Sequence, residues 1–481
     1  MNILLINPPR NDGIPVIRED RCEITDRTSV IPPYSLMQLA SILKKNRHEV
    51  TLIDANGENL TYPRIKEHLA RCAPYDIVVF RFTPTTFDND MRIASLAKAT
   101  NHRALTVGLC WTLQSFAEEI LKSCDSLDVY ALGESELVVP DLIETFEQKG
   151  FEGLREVRGI AYKIGDVVVQ TERSKNDIDY NLLPIPAFDL VNLRNYRNKA
   201  TGFGRFMILN TSKGCPFGCI YCTVRRTKWK AKSADRVLSE IRTLVRDYYV
   251  NVISFFDESF TLDKQRAADI CQRLINERLN VVWYCNTRVD CVDPDLLKLM
   301  RKAGCRGISY GVESGSQKIL ENSKKGQNIE QARKAILWTK AAGIKTYASF
   351  IVGLPGETWN TVKATLQFVK NTRPNGAQFN VAVPYPKTEL YEIAKTNGWI
   401  TENLDWKAFY QHNSVMRTAQ LSPSELDQAR KLLYRSLYFN PAWVWENLKF
   451  IIRNPEDISV AIRYYYDSLK NYLIYDMHHG H

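Results

Sequence analysis

Three cysteines lie within eight positions of the sequence, in the stretch SKGCPFGCIYCTVRR. They are Cys215, Cys219 and Cys222, spaced Cys-x3-Cys-x2-Cys. Thiolates are soft ligands that suit zinc or iron–sulfur clusters. Structural zinc sites usually have four protein ligands, but no histidine or fourth cysteine lies nearby, and the next cysteine is Cys271. Three thiolates on a four-iron cluster leave one iron open, and an open metal position can bind a substrate or cofactor.

The residues between and after the cysteines add two further signals. Gly214 and Gly218 allow the unusual backbone angles that a loop around a cluster needs. The stretch RRTKWKAK, which follows the last cysteine, holds five basic residues in eight. It is either a solvated loop or a contact for an anionic substrate or an acidic electron donor, and the sequence leaves both open. The cysteines outside the cluster are scattered singly, which indicates small core residues rather than a disulfide framework.

Residues 1–145 contain five short apolar runs separated by helix-like stretches: ILLIN (3–7), VTLID (50–54), IVVFRF (77–82), LTVGL (105–109) and VYALG (129–133). This alternation predicts a parallel sheet covered by helices on both faces. Five strands in this order favour a flavodoxin-like doubly wound domain, whose ligand lies at the carboxyl ends of the strands. The candidate ligand loops are NPPR (7–10), TPTT (83–86), GLCWT (108–112) and GESE (133–136).

A connecting region follows over residues 146–204. The stretch GIAYKIGDVVVQTE predicts a β-hairpin with Gly165-Asp166 at its turn. The stretch NLLPIPAFDL carries two prolines and indicates an ordered linker.

Residues 205–400 contain six apolar strands with helical spacers: RFMILNTSKG, VISFFDES, VVWYCNTR, GISYGVES, YASFIVG and FNVAVPYP. Six such units predict a partial (β/α)6 barrel with its site at the carboxyl-end loops. The cysteine stretch follows the first of these strands and therefore lies at that end. Residues 401–481 are helical in pattern and rich in aromatics, in ARKLLYRSLYFNPAWVWENLKFIIRN and AIRYYYDSLKNYLIY. They favour helices packed on the barrel, with a lid or a membrane-contacting surface as the alternative.

The chain as a whole has the composition of a globular protein, with 481 residues, 44% hydrophobic residues and 25% charged residues. No segment reaches the ~18 uninterrupted apolar residues of a spanning helix, although peripheral membrane contact stays open. The N-terminus MNILLINPPRND lacks the features of a signal peptide, so a cytoplasmic location is expected. A net charge of +10 is modest for this length and does not indicate a nucleic-acid partner.

The cysteine spacing, with aromatic Tyr221 before the last cysteine, resembles the signature of the radical S-adenosylmethionine (SAM) superfamily, and the six-strand pattern agrees with that family's partial barrel. The preceding five-stranded domain makes the whole chain similar to the group with an N-terminal cobalamin-binding domain. The resemblance implies a [4Fe-4S] cluster on the three cysteines. It also implies that SAM chelates the open iron and is cleaved to a 5′-deoxyadenosyl radical.

Short motifs at successive strand ends match the SAM site that the resemblance implies. Asp257 and Glu258 follow the second strand, where family members hold the methionine amino group, and Arg288 follows the third, suited to the carboxylate. Further expected contacts are Tyr221 in the loop, Glu313 and Ser314 for the ribose hydroxyls, and Gly353 in IVGLPGET beside the adenine. A buried carboxylate satisfied by backbone amides is the alternative for the acidic residues.

The cobalamin site that the resemblance implies departs from the family pattern. The first loop reads NPPRNDG and has no histidine to ligate cobalt, and Trp111 stands where a histidine is common. The axial ligand is therefore left open, and a vestigial domain or a different flat ligand is the alternative. The residues expected to contact cobalamin are Pro9, Arg10, Thr83, Thr85, Gly108, Trp111, Gly133 and Glu134.

Taken together, the resemblance implies a cobalamin-dependent methyltransferase that acts on an unactivated carbon, or a phosphorus, of a small-molecule or lipid-like substrate, with Tyr385 near the specificity pocket. The radical generator would face the methylated cobalt across the substrate, and a low-potential donor such as flavodoxin or ferredoxin would supply electrons. A non-methylating rearrangement or cyclisation, as in anaerobic porphyrin-ester cyclases, is the alternative within the same architecture. An RNA methylthiotransferase and a non-enzymatic cluster carrier are less well supported.

Overall fold

A seven-stranded sheet forms the centre of the first of two units in the computed structural model of the chain. The structure describes residues 1–19, 23–24, 29–72, 74–174, 177–198, 201, 204–400, 405–409, 414–453 and 458. The first unit comprises Met1–Tyr196 with Asp405–Ala408, and the second comprises Arg197–Leu404 with Phe409–His481. No helix among the described residues is long and apolar enough to cross a membrane.

The strands of the first unit are β1 (Asn2–Asn7), β2 (Val16–Ile17), β3 (Glu23–Ile24), β4 (Glu49–Asp54), β5 (Ile77–Arg81), β6 (Leu105–Leu109), β7 (Val129–Ala131), β8 (Ile160–Ile164) and β9 (Val167–Gln170). The main sheet has the order β4-β1-β5-β6-β7-β8-β9, and β2 pairs separately with β3. The helices are α1 (Tyr34–Lys45), α2 (Ala55–Glu58), α3 (Tyr62–Arg71), α4 (Phe87–Thr100), α5 (Ala117–Ser123) and α6 (Ser135–Lys149).

The five predicted strands form the parallel part of this sheet, in the order second, first, third, fourth, fifth. This is the flavodoxin-like order, so the prediction for residues 1–145 is confirmed. Strands β5 and β6 are buried along their whole length. Their continuous apolar sequences follow from that, because helices cover both faces of a parallel sheet.

The predicted hairpin is also present, as β8 and β9, but it is not a separate connector. Strand β8 pairs antiparallel with β7, so the hairpin extends the main sheet of the first unit. The apolar residues Ile160, Ala161 and Tyr162 are buried. Pairing with β7 covers them and satisfies a strand edge that would otherwise be open.

The strands of the second unit are β10 (Phe206–Leu209), β11 (Ser212–Lys213), β12 (Lys230–Ala231), β13 (Val252–Phe255), β14 (Val282–Thr287), β15 (Cys305–Glu313), β16 (Lys345–Val352) and β17 (Gly376–Val381). The helices are α7 (Ala234–Tyr248), α8 (Lys264–Asn276), α9 (Pro294–Lys302), α10 (Gln317–Asn322), α11 (Ile329–Ala341), α12 (Trp359–Thr372), α13 (Glu389–Thr396), α14 (Pro423–Tyr438) and α15 (Pro441–Arg453).

Six strands of this unit form one parallel sheet in strict chain order, β10-β13-β14-β15-β16-β17, with helices in the connections. The predicted (β/α)6 arrangement is therefore confirmed. In such a sheet all carboxyl ends meet at one edge, which is where a site forms. Helix α7 begins at a side-chain cap, because Ser233 accepts a hydrogen bond from the Arg236 N–H.

Helix α14 packs on the last strand of this sheet, as the helical pattern predicts, and α15 packs on α14. The Phe379 N–H donates to the Tyr434 hydroxyl oxygen at 3.1 Å, and the Tyr438 hydroxyl donates to the Ala377 carbonyl at 3.1 Å. The aromatic hydroxyls thus satisfy backbone groups of an edge strand. The second aromatic stretch, AIRYYYDSLKNYLIY, lies outside the described residues.

Candidate functional site

The three cysteines lie in a hairpin loop at the carboxyl end of β10. Strands β11 and β12 close the loop, with Ser212 paired to Ala231 and Lys213 paired to Lys230. Inside the loop, the Cys215 N–H donates to Thr227 Oγ1 at 2.9 Å and the Thr227 N–H donates to the Cys215 carbonyl at 3.0 Å.

The predicted need for glycine is met at Gly214. Its φ is +89°, and a Cβ there would lie 2.2 Å from the Lys228 carbonyl oxygen. No residue with a side chain fits without moving the hairpin. Gly218 has a looser contact, since a Cβ there would lie 3.2 Å from Nε of Arg226.

The loop is anchored through Ile220, which is fully buried between two of the cysteines. Its N–H donates to the Ser323 carbonyl at 3.0 Å, and its carbonyl accepts from the Leu390 N–H at 2.9 Å. The positions of Cys219 and Tyr221 are thus tied to the loop after α10 and to the start of α13.

The three thiols share one electrostatic environment. Burial, together with the neighbouring Cys219 and Cys215, raises the pKa of Cys222 to about 12. Burial also raises the pKa of Cys215. No group of three or more His, Cys, Asp or Glu side chains in the described part of the chain is arranged to hold a metal ion. The thiolates of an iron–sulfur cluster bind different irons and need not meet at one metal ion.

Asp257, expected to contact SAM, lies buried at the base of the hairpin. Its carboxylate accepts from the Thr211 N–H at 2.6 Å, from the Thr211 hydroxyl at 2.5 Å and from the Ser212 hydroxyl at 2.9 Å. Arg266 completes this base, because it donates to the Thr211 carbonyl at 2.8 Å and to the Lys232 carbonyl at 2.6 Å. The contact of Asp257 with SAM stays a prediction, while its contacts with the hairpin are those of a positioning residue.

Glu258, the next residue, is exposed, and its charge contributes to the raised pKa of Cys215 after burial and the neighbouring thiol. It therefore lies within electrostatic range of the cysteine loop. The contact of Glu258 with SAM stays a prediction.

Arg288 is brought to the same loop. Its guanidinium lies 3.5 Å from the centre of the Phe217 ring and donates two 2.9 Å hydrogen bonds to Asp290 and one of 2.9 Å to the Lys325 carbonyl. The positive charge of Arg288 acts to lower the pKa of Cys215 against the larger effect of burial. The sequence pattern indicated Arg288 but not Asp290, whose carboxylate accepts from Nε and one terminal nitrogen of the Arg288 guanidinium.

Glu313 and Ser314 lie at the end of β15. Glu313 has φ of +68° and forms a buried ion pair with Lys325 at 2.7 Å. The Ser314 hydroxyl lies 3.2 Å from Thr365 Oγ1. The buried Tyr221 hydroxyl lies near Cys219 and Glu313 without a hydrogen bond of normal geometry. The structure thus brings Tyr221 and Glu313 together, as expected for one ligand site.

Gly353 follows β16 and has φ of +93°. Its N–H donates to Glu357 Oε2 at 3.2 Å, and Glu357 also accepts from the Thr361 hydroxyl. Burial raises the pKa of Glu357 to about 7. Glu357 therefore fixes the backbone at Gly353, a role that the sequence pattern did not indicate.

A segment that sequence reasoning missed, residues 323–327, contacts several of these strand ends. The Ser323 carbonyl binds the cysteine loop at Ile220, and Lys325 binds Glu313. The Gln327 side chain donates to Asp290 at 2.9 Å. The sequence SKKGQ carries charge but no spacing that would have marked it.

Some basic residues of the stretch after the cysteines form ion pairs within the protein. Arg225 pairs with Glu389 at 2.6 Å, and buried Lys232 pairs with Glu240 at 2.7 Å. Arg226 and Lys228 are exposed. Tyr385, expected near the specificity pocket, is buried and packs edge-on against Phe409 with ring centres 5.6 Å apart.

In the first unit, the loops after β1 and β5 are joined by a buried network. Arg18 donates to both oxygens of Asp90, at 2.9 and 2.6 Å, and to the Pro8 and Pro9 carbonyls at 3.0 and 2.9 Å. Asp90 also accepts from the Thr86 hydroxyl at 2.7 Å. These loops flank the β1–β5 pair, where the strand order reverses and where such sheets bind ligands.

The predicted cobalamin contacts in these two loops are held by neighbouring groups. Arg10 Nε donates to the Asn56 carbonyl at 3.0 Å. The Thr83 hydroxyl lies 2.8 Å from Thr86 Oγ1 and 3.5 Å from Thr85 Oγ1. Their backbone is thus fixed, and their contact with cobalamin stays a prediction.

The remaining predicted cobalamin contacts follow β6 and β7. A Cβ on Gly108 would lie 3.0 Å from the Phe82 ring, and one on Gly133 would lie 2.9 Å from the Val138 side chain. Trp111 is partly buried, and Glu134 accepts from the Tyr180 hydroxyl at 2.7 Å. Packing alone therefore explains both glycines.

None of the histidines in the described part of the first unit lies at a strand carboxyl end. His48 and His102 precede strands, and His68 lies within α3. An imidazole ligand to cobalt from these residues is therefore not available at the predicted ligand edge.

Comparisons with known proteins agree with this architecture. The family model of the Radical SAM superfamily matches residues 209–369. A relative from Pyrococcus horikoshii, named uncharacterized methyltransferase PH0819, is 30% identical over 476 residues, which is 97% of this chain and 99% of the relative. The anaerobic magnesium-protoporphyrin IX monomethyl ester cyclase of Cereibacter sphaeroides is 27% identical over 85% of this chain and 68% of its own.

Two solved structures have the same fold. The cobalamin-dependent SAM radical enzyme OxsB, with aqua-cobalamin and SAM bound, matches with a TM-score of 0.73 at 19% identity, over 95% of this chain and 71% of its own. The radical SAM methyltransferase TsrM from Kitasatospora setae, with cobalamin and a [4Fe-4S] cluster bound, matches with a TM-score of 0.67 at 16% identity, over 89% of this chain and 85% of its own. The chain belongs to the radical SAM superfamily of enzymes, and its matches to the two cobalamin-bound structures cover 89% and 95% of its length.

Proposed function

We propose that this protein is a cobalamin-dependent radical SAM methyltransferase whose [4Fe-4S] cluster is held by Cys215, Cys219 and Cys222. The observation that carries the proposal is the closed hairpin that places three thiols beside Arg288 at the carboxyl end of six parallel strands. Burial raises the pKa values of Cys215 and Cys222, and Arg288 and Lys325 respectively offset part of that rise. A positive charge beside a thiol favours the thiolate that a cluster needs.

The groups around the hairpin suit the charges of SAM. Glu258 is exposed near Cys215 and would receive the ammonium, and Arg288 would receive the carboxylate. The buried Tyr221 hydroxyl, which has no hydrogen bond of normal geometry, is an orphaned polar group that a bound cofactor would satisfy. Glu313 and Ser314 would hold the ribose hydroxyls, and Gly353 would lie beside the adenine.

The loops of the first unit would hold cobalamin through a fixed backbone. The Arg18–Asp90 network fixes Pro9 and Thr83, and Arg10, Thr85, Trp111 and Glu134 lie in the loops at the same edge of the sheet. No histidine among the described residues of the first unit meets the expected position of the cobalt ligand. We therefore propose cobalamin binding without a protein imidazole from these residues.

When bound, the cluster and SAM supply a carbon-centred radical that removes a substrate hydrogen, and cobalamin supplies the methyl group. Each methylation would consume two SAM molecules and two electrons and would replace one substrate hydrogen with a methyl group. The other products would be methionine, 5′-deoxyadenosine carrying the substrate hydrogen, and S-adenosylhomocysteine. A low-potential donor such as flavodoxin or ferredoxin would supply both electrons, and the substrate is a small molecule.

The proposal is tested with protein reconstituted anaerobically with iron, sulfide and hydroxocobalamin, and then desalted. The expected results are four irons and one corrinoid per chain, and 5′-deoxyadenosine formed from SAM under reduction. Absence of 5′-deoxyadenosine with verified cluster loading would contradict the radical SAM assignment. Absence of corrinoid after desalting would remove the methyl-transfer mechanism.

The cyclase relatives favour one second candidate, a radical cyclisation without methyl transfer. Both reactions would use the same hairpin and SAM site. SAM with a deuterated methyl group separates them when it is supplied with a small-molecule extract or with magnesium-protoporphyrin monomethyl ester. Methylation puts three deuteriums into a product and releases S-adenosylhomocysteine, whereas cyclisation releases 5′-deoxyadenosine without either.

A further inference from the structure

We propose that Lys325 is a positioning residue of the SAM site. Its ammonium holds the Glu313 carboxylate in the orientation in which that carboxylate accepts hydrogen bonds from the ribose hydroxyls. The inference rests on the proposed function, because it takes SAM to be the ligand. Lys325 comes from the segment 323–327, which no sequence motif marked.

The contact between the two residues is a buried ion pair. Lys325 Nζ lies 2.7 Å from Glu313 Oε1, and the side chains are 7% and 8% exposed. Removing one member of such a pair leaves an uncompensated buried charge, so the other side chain cannot keep its place unaided. The orientation of Glu313 therefore depends on Lys325.

The backbone of β15 is shaped around this ion pair. Glu313 has φ of +68° at a point where the pairing register of β15 with β16 shifts. A Cβ on Gly311 would lie 2.5 Å from Glu313 Oε1 and 3.0 Å from Lys325 Nζ. Glycine at 311 makes room for the pair, and a left-handed glutamate is retained only where its surroundings fix it.

The ion pair leaves one oxygen of Glu313 for a ligand. Within the described residues, Lys325 is the hydrogen-bond partner of the Glu313 side chain, through Oε1. Oε2 has no partner there, and Glu313 lies near the Tyr221 hydroxyl, which also lacks a normal hydrogen bond. A carboxylate oxygen accepts hydrogen bonds only, so it suits a donor such as a ribose hydroxyl.

Lys325 is itself held by the rest of the site. Its carbonyl accepts from Arg288 at 2.9 Å, and its N–H donates to the Leu320 carbonyl at 3.0 Å. Arg288 in turn stacks on Phe217 of the cysteine loop. Lys325 therefore connects Glu313, the expected contact of the SAM ribose, with Arg288, the expected contact of the SAM carboxylate.

The test compares Lys325→Met with Lys324→Met in full-length, cluster-loaded protein. Lys324 is a matched control, because its ammonium pairs with Glu389 and is 53% exposed. The measurement is anaerobic binding of SAM and of its 2′,3′-dideoxyribose analogue by calorimetry. Since a hydrogen bond to a charged group contributes about 1.5–3 kcal/mol, we expect the unaltered protein to prefer SAM by about 10-fold or more.

In Lys325→Met this preference should fall to within about 2-fold, while Lys324→Met should keep it. Four irons per chain in each variant show that the site has formed. If Lys325→Met does not load its cluster, the comparison moves to Lys325→Gln, which keeps a donor for Glu313. A second comparison uses the Glu313→Gln variant with and without Lys325→Met. The double variant has no buried charge at this pair, so adding Lys325→Met should not alter its SAM affinity.

The outcomes separate the inference from the proposed function. An unchanged SAM preference in Lys325→Met overturns the positioning role. Equal binding of SAM and the analogue by the unaltered protein overturns the ribose contact and leaves the proposed function in place. No SAM binding by the unaltered, cluster-loaded protein overturns the proposed function itself.

Discussion

The cysteine hairpin of the second unit and the strand-end loops of the first unit both lie at carboxyl ends of parallel strands, but the buried ion pairs beside them differ in how fully they are satisfied. In the first unit Arg18, Asp90 and Thr86 satisfy one another. Beside the hairpin, the Tyr221 hydroxyl lacks a normal hydrogen bond and Glu313 binds through one oxygen. Under the proposed function, the second unit would offer a carboxylate oxygen and a hydroxyl to a ligand, whereas the Arg18–Asp90 network fixes the backbone of the loops in the first unit.

The largest expected effect comes from removing a thiol from the cysteine hairpin of the second unit. Cys219→Ala removes one thiolate from the hairpin, so cluster loading should fail and 5′-deoxyadenosine formation should drop at least about 1,000-fold. The measurements are iron content and mass spectrometry of the products. Cys271→Ala is the control, because Cys271 is buried in the core, and it should keep both. Retained SAM cleavage in Cys219→Ala would contradict the cluster assignment.

A change in the first unit should act on stability instead. Arg18→Met breaks an ion pair whose side chains are 1% and 0% exposed, so we expect a loss of about 3–5 kcal/mol in the free energy of unfolding. Corrinoid retention should fall with it. Lys44→Met, which breaks an exposed pair with Asp189, should change stability by less than about 1 kcal/mol. Equal stability of both variants, measured by denaturant unfolding, would show that the network does not hold the loops.

The adjacent acidic residues Asp257 and Glu258 allow a structural role and a ligand contact to be compared within the second unit. Asp257→Asn weakens the bonds to Thr211 and Ser212, so stability should fall by about 1–3 kcal/mol and the cluster should be retained less well. Glu258→Gln should leave stability unchanged and weaken SAM binding about 10-fold. Thermal unfolding and calorimetric SAM titration check both changes. Weaker SAM binding in Asp257→Asn with unchanged binding in Glu258→Gln would show that Asp257, and not Glu258, contacts SAM.

The last expected effect is a pH dependence of the free energy of unfolding, which comes from Glu357. Burial raises its pKa in the folded protein from 4.5 to about 7, so the folded state keeps a proton that the unfolded state loses. Its contribution to stability is therefore fully present below pH 4.5 and is lost as the pH rises through 7. Glu357→Gln should gain stability relative to the unaltered protein between pH 5 and 8, measured as unfolding midpoints. A difference that does not change with pH would rule out this titration.

Strand order was predictable because it follows from local patterns. Continuous apolar runs mark strands buried on both faces, and their alternation with helices predicts parallel pairing. The cysteine loop was predictable for a similar reason, since Cys215 and Cys222 lie seven positions apart in one hairpin. The hairpin at Gly165-Asp166 was predicted from its turn, but its addition to the main sheet depends on the free edge of β7, which no local pattern shows.

The parts that could not be predicted depend on contacts between residues far apart in the chain. Asp257 supports the hairpin through Thr211, 46 positions away. Lys325 meets Glu313 only because the segment after α10 returns to the strand ends. Gly108 and Gly133 pack against the Phe82 and Val138 side chains, and their contact with cobalamin stays a prediction.

The most direct test of the account is pulsed electron–nuclear double resonance on the reduced cluster with SAM labelled at its amino nitrogen and carboxylate oxygen. The account predicts hyperfine coupling from both labels, because one iron lacks a protein thiolate and binds SAM there. A spectrum that shows no coupling and does not change when SAM is added would contradict it.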